Sequence, residues 1–141
     1  MLEQNKDSVK LVLKNFPLSS HKYARNAAAA ALAAKTKGKY WEFHDELFKN
    51  MKQLSDEKVK EIAAGLGLDA DEIMSKMKSR EIQNIINRDV RDAINAGVRG
   101  TPAVFINGKK LKSRSIRSFQ NQIDAELKKK VDLNREKEAK N

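Results

Sequence analysis

Chemistry needs nucleophiles, metal ligands or general acids at workable spacing, and this chain of 141 residues holds few of them. It has no cysteine, which removes disulfides, thiolate metal sites and any cysteine nucleophile. His21 and His44 are its two histidines, too few for a histidine-rich metal site. His44 would serve as a ligand or general base, but no carboxylate or second histidine is spaced to assist it. A half-buried ring bonded to a neighbouring carbonyl is the favoured reading, and His21 reads as a surface residue. No catalytic residue, metal or cofactor is therefore expected.

The stretch that remains is Val98-Arg99-Gly100-Thr101-Pro102-Ala103-Val104-Phe105-Ile106-Asn107-Gly108. Gly-Thr-Pro forms a turn ahead of a short apolar strand at residues 103–106. Asn107-Gly108 tolerates the positive φ of a type I′ turn, so a hairpin follows. Pro102 at the strand's first residue costs no ladder bond. Its peptide bond can be cis, although local sequence alone favours trans. A strand-initial proline also leaves neighbouring backbone groups open to an added extended peptide.

One domain is expected from the length, with a core of ordinary apolar content. The net charge of +10 invites a nucleic-acid reading. The lysines are instead spread over nearly every segment, densest at Lys109, Lys110, Lys112, Arg114 and Arg117. No aromatic residues interleave with them as a stacking platform requires, so no specific nucleic-acid partner is expected. No apolar run approaches a membrane span, and the first residues carry no secretory signal.

The elements that must position the Gly-Thr-Pro loop follow in order. Residues 9–16 read as an interior strand ended by Pro17. Ser19 or Ser20 would cap a helix running to about Lys35, thinned on one side by alanines. Tyr40 to Met51 carries an apolar stripe through Phe43, His44, Leu47 and Phe48. Ser55 caps the next helix inside a Leu54–Val59 staple, and Asp69 with Glu72 forms a capping box. Ser79 caps a helix striped by Ile82, Ile85, Ile86, Val90, Ala93 and Ile94, and Gly97 stops it. Ile116, Phe119, Ile123 and Leu127 mark a last helix, with fraying expected beyond Lys128. The sum is a small α/β domain in which a helical block interrupts a sheet.

Phe16-Pro17-Leu18 after the strand, the alanine-rich helix, Gly38-Lys39-Tyr40-Trp41-Glu42-Phe43-His44-Asp45, Leu66-Gly67-Leu68-Asp69, and Gly97-Val98-Arg99-Gly100-Thr101-Pro102 before Phe105-Ile106-Asn107-Gly108 occur together. In that order, from about Val9 to Leu127, they resemble the DsbA-like thiol:disulfide oxidoreductases. The resemblance implies a truncated thioredoxin-like fold with an inserted helical block: one domain over 1–141, with the insertion at about 20–97. The thioredoxin-like remainder would occupy 9–18 and 98–130, and a charged tail 131–141.

Members of that family begin with a strand leading into a Cys-x-x-Cys helix, which is absent here. Roughly 30 residues would be missing, taking a βαβ unit as the yardstick. Thiol–disulfide exchange needs a thiolate, so the chain is expected to be redox-inactive. What the resemblance carries over is a substrate-binding loop of Val98, Gly100, Thr101 and Pro102, with the Thr101-Pro102 bond cis. It implies an unfolded or extended polypeptide as partner, and a parent protein that is periplasmic or secreted. A non-enzymatic, chaperone-like peptide- or partner-binding module on the same fold is the alternative. The missing strand belongs between 9–16 and 103–106. Those segments must then pair directly or be filled by a second copy, and a homodimer through exposed strands is expected.

Overall fold

The structure is a computed structural model that describes residues 3–138. It divides into two compact units. One is Lys14–Gly100; the other combines the described residues up to Leu13 with those from Thr101 on.

The first unit is a block of five helices: α1 (Ala24–Lys35), α2 (Tyr40–Lys49), α3 (Asp56–Gly65), α4 (Ala70–Met77) and α5 (Arg80–Asn95). α1 touches all four others. Residues 29–34 are buried without a break, and six successive residues span more than a turn, so α1 is enclosed on every side. Alanine permits this because it lets neighbouring backbones come close at no cost in side-chain entropy. The sequence pattern suggested one thin face; enclosure makes it a thin cylinder. Around it pack Phe43, Leu47, Val59, Ile62, Ile73, Met77, Ile82 and Ile86.

Local chemistry sets the helix ends. Ser55 Oγ accepts from the Lys58 N–H at 3.1 Å, an Asp69 carboxylate oxygen from Glu72 N–H at 2.8 Å, and Ser79 Oγ from Ile82 N–H at 3.4 Å. The staple residues Val59 and Ile73 are buried. α1 departs from expectation. After Pro17, His21 N–H bonds Leu18 C=O and Ala24 N–H bonds His21 C=O, both at 3.0 Å. That turn delays the helix to Ala24, and Ser19 and Ser20 stay exposed and cap nothing.

The second unit holds a short 3₁₀ turn (Glu3–Asn5), a hairpin of β1 (Phe105–Ile106) and β2 (Lys109–Lys110), and α6 (Ile116–Glu138). Phe105 opposes Lys110 and Ile106 opposes Lys109. Asn107 at φ 46° and Gly108 at φ 78° make the tight turn. Ser115 Oγ accepts from Ser118 N–H at 3.2 Å at the start of α6. Asn5 and Gln120 exchange side-chain amide bonds at 3.0 and 3.3 Å.

Three further expectations are corrected. Residues 9–16 form no strand: the hairpin is the only sheet among the described residues, and Leu11, Val12 and Leu13 are exposed. A strand exists through its ladder, and neither the direct pairing with 103–106 nor any other ladder forms there. The segment from 103 is paired over two residues rather than four. α6 also continues to Glu138 instead of fraying near Lys128, since Lys, Glu, Leu and Arg favour helix without tertiary contacts. Residues 139–141 of the expected tail lie outside the described residues. Among the described residues, no helix is long and apolar enough to cross a membrane.

Candidate functional site: the Gly-Thr-Pro loop and its supports

The loop leaves α5 through a backbone lock. Gly97, at φ 74°, lets its N–H bond Ile94 C=O while Val98 N–H reaches Ala93 C=O, both at 2.9 Å. This pair of bonds is a Schellman end, and the left-handed residue between them is best served by glycine. Val98 is buried at its close. The helical unit ends at Gly100, so Val98 and Gly100 belong to it, while Thr101 and Pro102 open the other unit. Thr101 and Pro102 are both exposed, and the bond joining them is cis. Leu111 N–H then bonds Val104 C=O at 2.8 Å, extending the hairpin toward the loop.

A second polar feature escaped the sequence reading. Asp89 on α5 is 5% exposed, and one of its carboxylate oxygens accepts both the Asn15 N–H at 3.0 Å and Asn15 Nδ2 at 2.8 Å. Asn15 is itself buried. Lys14 Nζ bonds Asp92 Oδ2 at 2.8 Å and lies 3.6 Å from Asp89 Oδ1. The bond to Asp92 raises the Lys14 pKa, and the same bond lowers that of Asp92. Burial raises the Tyr40 hydroxyl pKa, and the negative charge of Asp89 adds to it. The sequence held one signal for this clasp: Asp89 falls in the apolar stripe of α5, between Ile86 and Ala93.

The histidine reading is corrected in detail. His44 Nδ1 lies 3.1 Å from Asp45 Oδ1, not on a carbonyl, and its ring touches those of Tyr40, Trp41 and Phe48. His21 is exposed. No three His, Cys, Asp or Glu side chains among the described residues stand close enough to hold a metal ion.

The hairpin is tied to α6 through Glu126. Lys109 Nζ at 2.8 Å and Lys129 Nζ at 3.0 Å bond one carboxylate oxygen, and Asn107 Nδ2 at 3.3 Å bonds the other. The Lys109 bond first, then those of Lys129 and Asn107, bring the Glu126 pKa down to about 2. A carboxyl lowered on folding stabilises above its unfolded pKa, about 4.3, and that contribution fades as pH falls toward about 2. The Asn107 side-chain amide signals should therefore move across this acid window, and Glu126→Gln should flatten the titration; NMR reads both.

Residues 1–124 match the family described as DSBA-like thioredoxin domain. The chain is 36% identical over 104 residues to a Na(+)/H(+) antiporter NhaA 3 of Salinispora tropica, covering 73% of this chain and 16% of that protein. It is 29% identical over 133 residues to a probable disulfide bond formation protein D of Bacillus cereus, covering 89% of this chain and 61% of that protein. It thus spans less than two thirds of either relative. No solved structure matches it. The α/β architecture, with its helical block set ahead of a Thr-Pro loop and hairpin, agrees with that match, and the chain belongs to the DSBA-like thioredoxin domain family.

Proposed function

We propose that this chain is a piece of a DsbA-like protein disulfide oxidoreductase that docks extended polypeptide at the Gly-Thr-Pro loop and performs no redox step itself. The observation that carries the reading is a family fold with an exposed Thr101-Pro102 step and no cysteine anywhere in the chain. Exchange requires a thiolate to attack a disulfide sulfur, and these residues supply no thiol for it. Docking requires only backbone: Thr101 offers an N–H and a C=O, Pro102 a carbonyl, to a chain lying extended beside them. Val98 and Gly100 serve by fixing where the loop leaves α5. The parent protein of this reading works outside the cytoplasm.

A non-enzymatic peptide-holding module is the second reading, favoured by the apolar Leu11, Val12 and Leu13 left in solvent without a ladder. The same exposed apolar segment, which joins no ladder, is the surface through which a second copy would pair. Turnover and gene context separate the readings. The purified chain should leave a disulfide-bonded test protein to react at the uncatalysed rate, in reduction and in oxidation alike. Turnover above that rate would contradict both. A Cys-x-x-Cys and secretory signal encoded upstream favour the oxidoreductase piece, and their absence favours the holding module.

A further inference from the structure

On its way into the Gly-Thr-Pro loop, α5 carries a row of cations that no carboxylate of the helical unit neutralises. At 3.6 residues per turn Asn84, Arg88, Arg91 and Asn95 fall within about 60° of arc, opposite the buried Ile82 and Ile86. All four are exposed, as is Arg99 in the loop. The ion pairs among the described residues engage lysines and His44 and include no arginine. The carboxylates in the second half of α5 are already taken, Asp89 by Asn15 and Asp92 by Lys14. A further guanidinium adjoins the row. Arg25 bonds Gln83 Oε1 at 2.9 Å and Asn87 Oδ1 at 2.7 Å, two neutral amides that fix its place without cancelling its charge. An open groove of about 550 Å³ runs here, lined by Asn84, Ile85, Asn87, Arg88 and Arg91, with Glu81 at its far end.

This chemistry selects an extended polypeptide that bears carboxylates. A guanidinium fork meets a carboxylate with two parallel bonds, and asparagine amides donate beside it. Arg88 and Arg91, three residues apart on a helix, set their Cβ atoms about 5–6 Å apart. Alternate residues of an extended chain point to one side about 6.6 Å apart, so acidic residues at every second position meet both arginines. Arg99 stands two residues before Thr101, within about 7 Å along the chain. From Arg88 to Gly97 the helix rises about 14 Å, the length of about four extended residues. A chain docked by its backbone at Thr101-Pro102 therefore reaches Arg99 at once and the α5 row within a few residues more. A nucleic-acid strand finds no counterpart here, because α5 has no aromatic side chain on which a base could stack. A lipid surface finds none either, since Ile94 is the single large apolar side chain that α5 exposes.

We propose that Arg88, Arg91 and Arg99 make the docking loop selective for acidic polypeptide, holding carboxylates at alternate positions along α5. The proposal rests on the reading of the Gly-Thr-Pro loop as a polypeptide-docking site and adds the class of polypeptide. Fluorescence anisotropy with two thiol-free peptides of equal length tests it, one with glutamate at alternate positions and one with glutamine in their place. The glutamate peptide should bind about tenfold tighter in about 50 mM salt, since each exposed pair gives up to about fivefold. In about 500 mM salt the two affinities should converge. Arg88→Glu combined with Arg91→Glu should erase the preference, leave the affinity for the glutamine peptide unchanged, and favour a lysine version of the peptide. Equal binding of both peptides by the unmodified chain, still weakened by Pro102→Ala, overturns the acidic selectivity and leaves the docking loop standing. A preference untouched by the double change overturns the α5 assignment, and binding of neither peptide overturns both readings. A single-stranded oligonucleotide bound more tightly than the glutamate peptide, and released by the same double change, overturns the choice of polypeptide. Both arginines are exposed, so helix content by circular dichroism should stay constant. The salt comparison needs no variant at all.

Discussion

Replacing Asp89 with alanine should lower the unfolding free energy by roughly 2–4 kcal/mol, two buried donors stranded at about 1–2 kcal/mol each, the lower part of the usual range because Asn15 keeps 9% exposure. Those donors are the N–H and Nδ2 of Asn15, both satisfied by one oxygen of Asp89. Asp89→Asn keeps an oxygen in place and should cost about 1 kcal/mol, nearer the net worth of a single bond. A second signal distinguishes this cause from general loosening. Because the Asp89 charge helps raise the Tyr40 pKa, both variants should lower it by removing that charge, with burial still acting. Denaturant midpoints and ultraviolet titration measure the two effects. An Asp89→Ala variant as stable as the parent would show that the segment entering the helical unit is held by something else.

Phe43→Ala should be the most damaging single change in the helical block, at about 3–5 kcal/mol. Phe43 is 0% exposed and sits in the core around α1. Apart from Leu32, the buried residues of α1 are alanines that cannot swing into the space, so the cavity would collapse poorly. Phe48, on the same helix and 63% exposed, offers the control. Phe48→Ala should stay within about 0.5 kcal/mol in the monomer, as surface substitutions do. Midpoint shifts at constant denaturant slope measure both. Equal costs at the two positions would mean that α2 does not present the faces described.

The features legible in the sequence were those decided within a few residues. Ser55, Asp69 and Ser79 cap their helices because a short polar side chain reaches an N–H three residues on, wherever the helix packs. Asn107-Gly108 turns because its backbone tolerates positive φ. Gly97 stops α5 for the same reason. The family resemblance, not local sequence, pointed to a cis bond at Thr101-Pro102, since local preference alone favours trans.

Features decided by partners were not legible. Residues 9–16 have β-branched composition, but strand character depends on a neighbouring ladder. Asp89 looked like one more charge on a charged chain, because nothing local reveals that its position in the α5 stripe meets Asn15, 74 residues earlier. The enclosure of α1 likewise depends on four helices that alanine spacing alone does not specify.

The docking loop can be tested without any redox chemistry. The isotope-labelled chain would be titrated with an unfolded polypeptide whose thiols have been blocked, and its amide shifts followed by NMR. Saturable shifts should concentrate at residues 98–103, with no covalent adduct by mass, and Pro102→Ala should weaken them. Absence of saturable shifts, or shifts confined to residues remote from 98–103 and unchanged by Pro102→Ala, would contradict a polypeptide-docking role for the Gly-Thr-Pro loop.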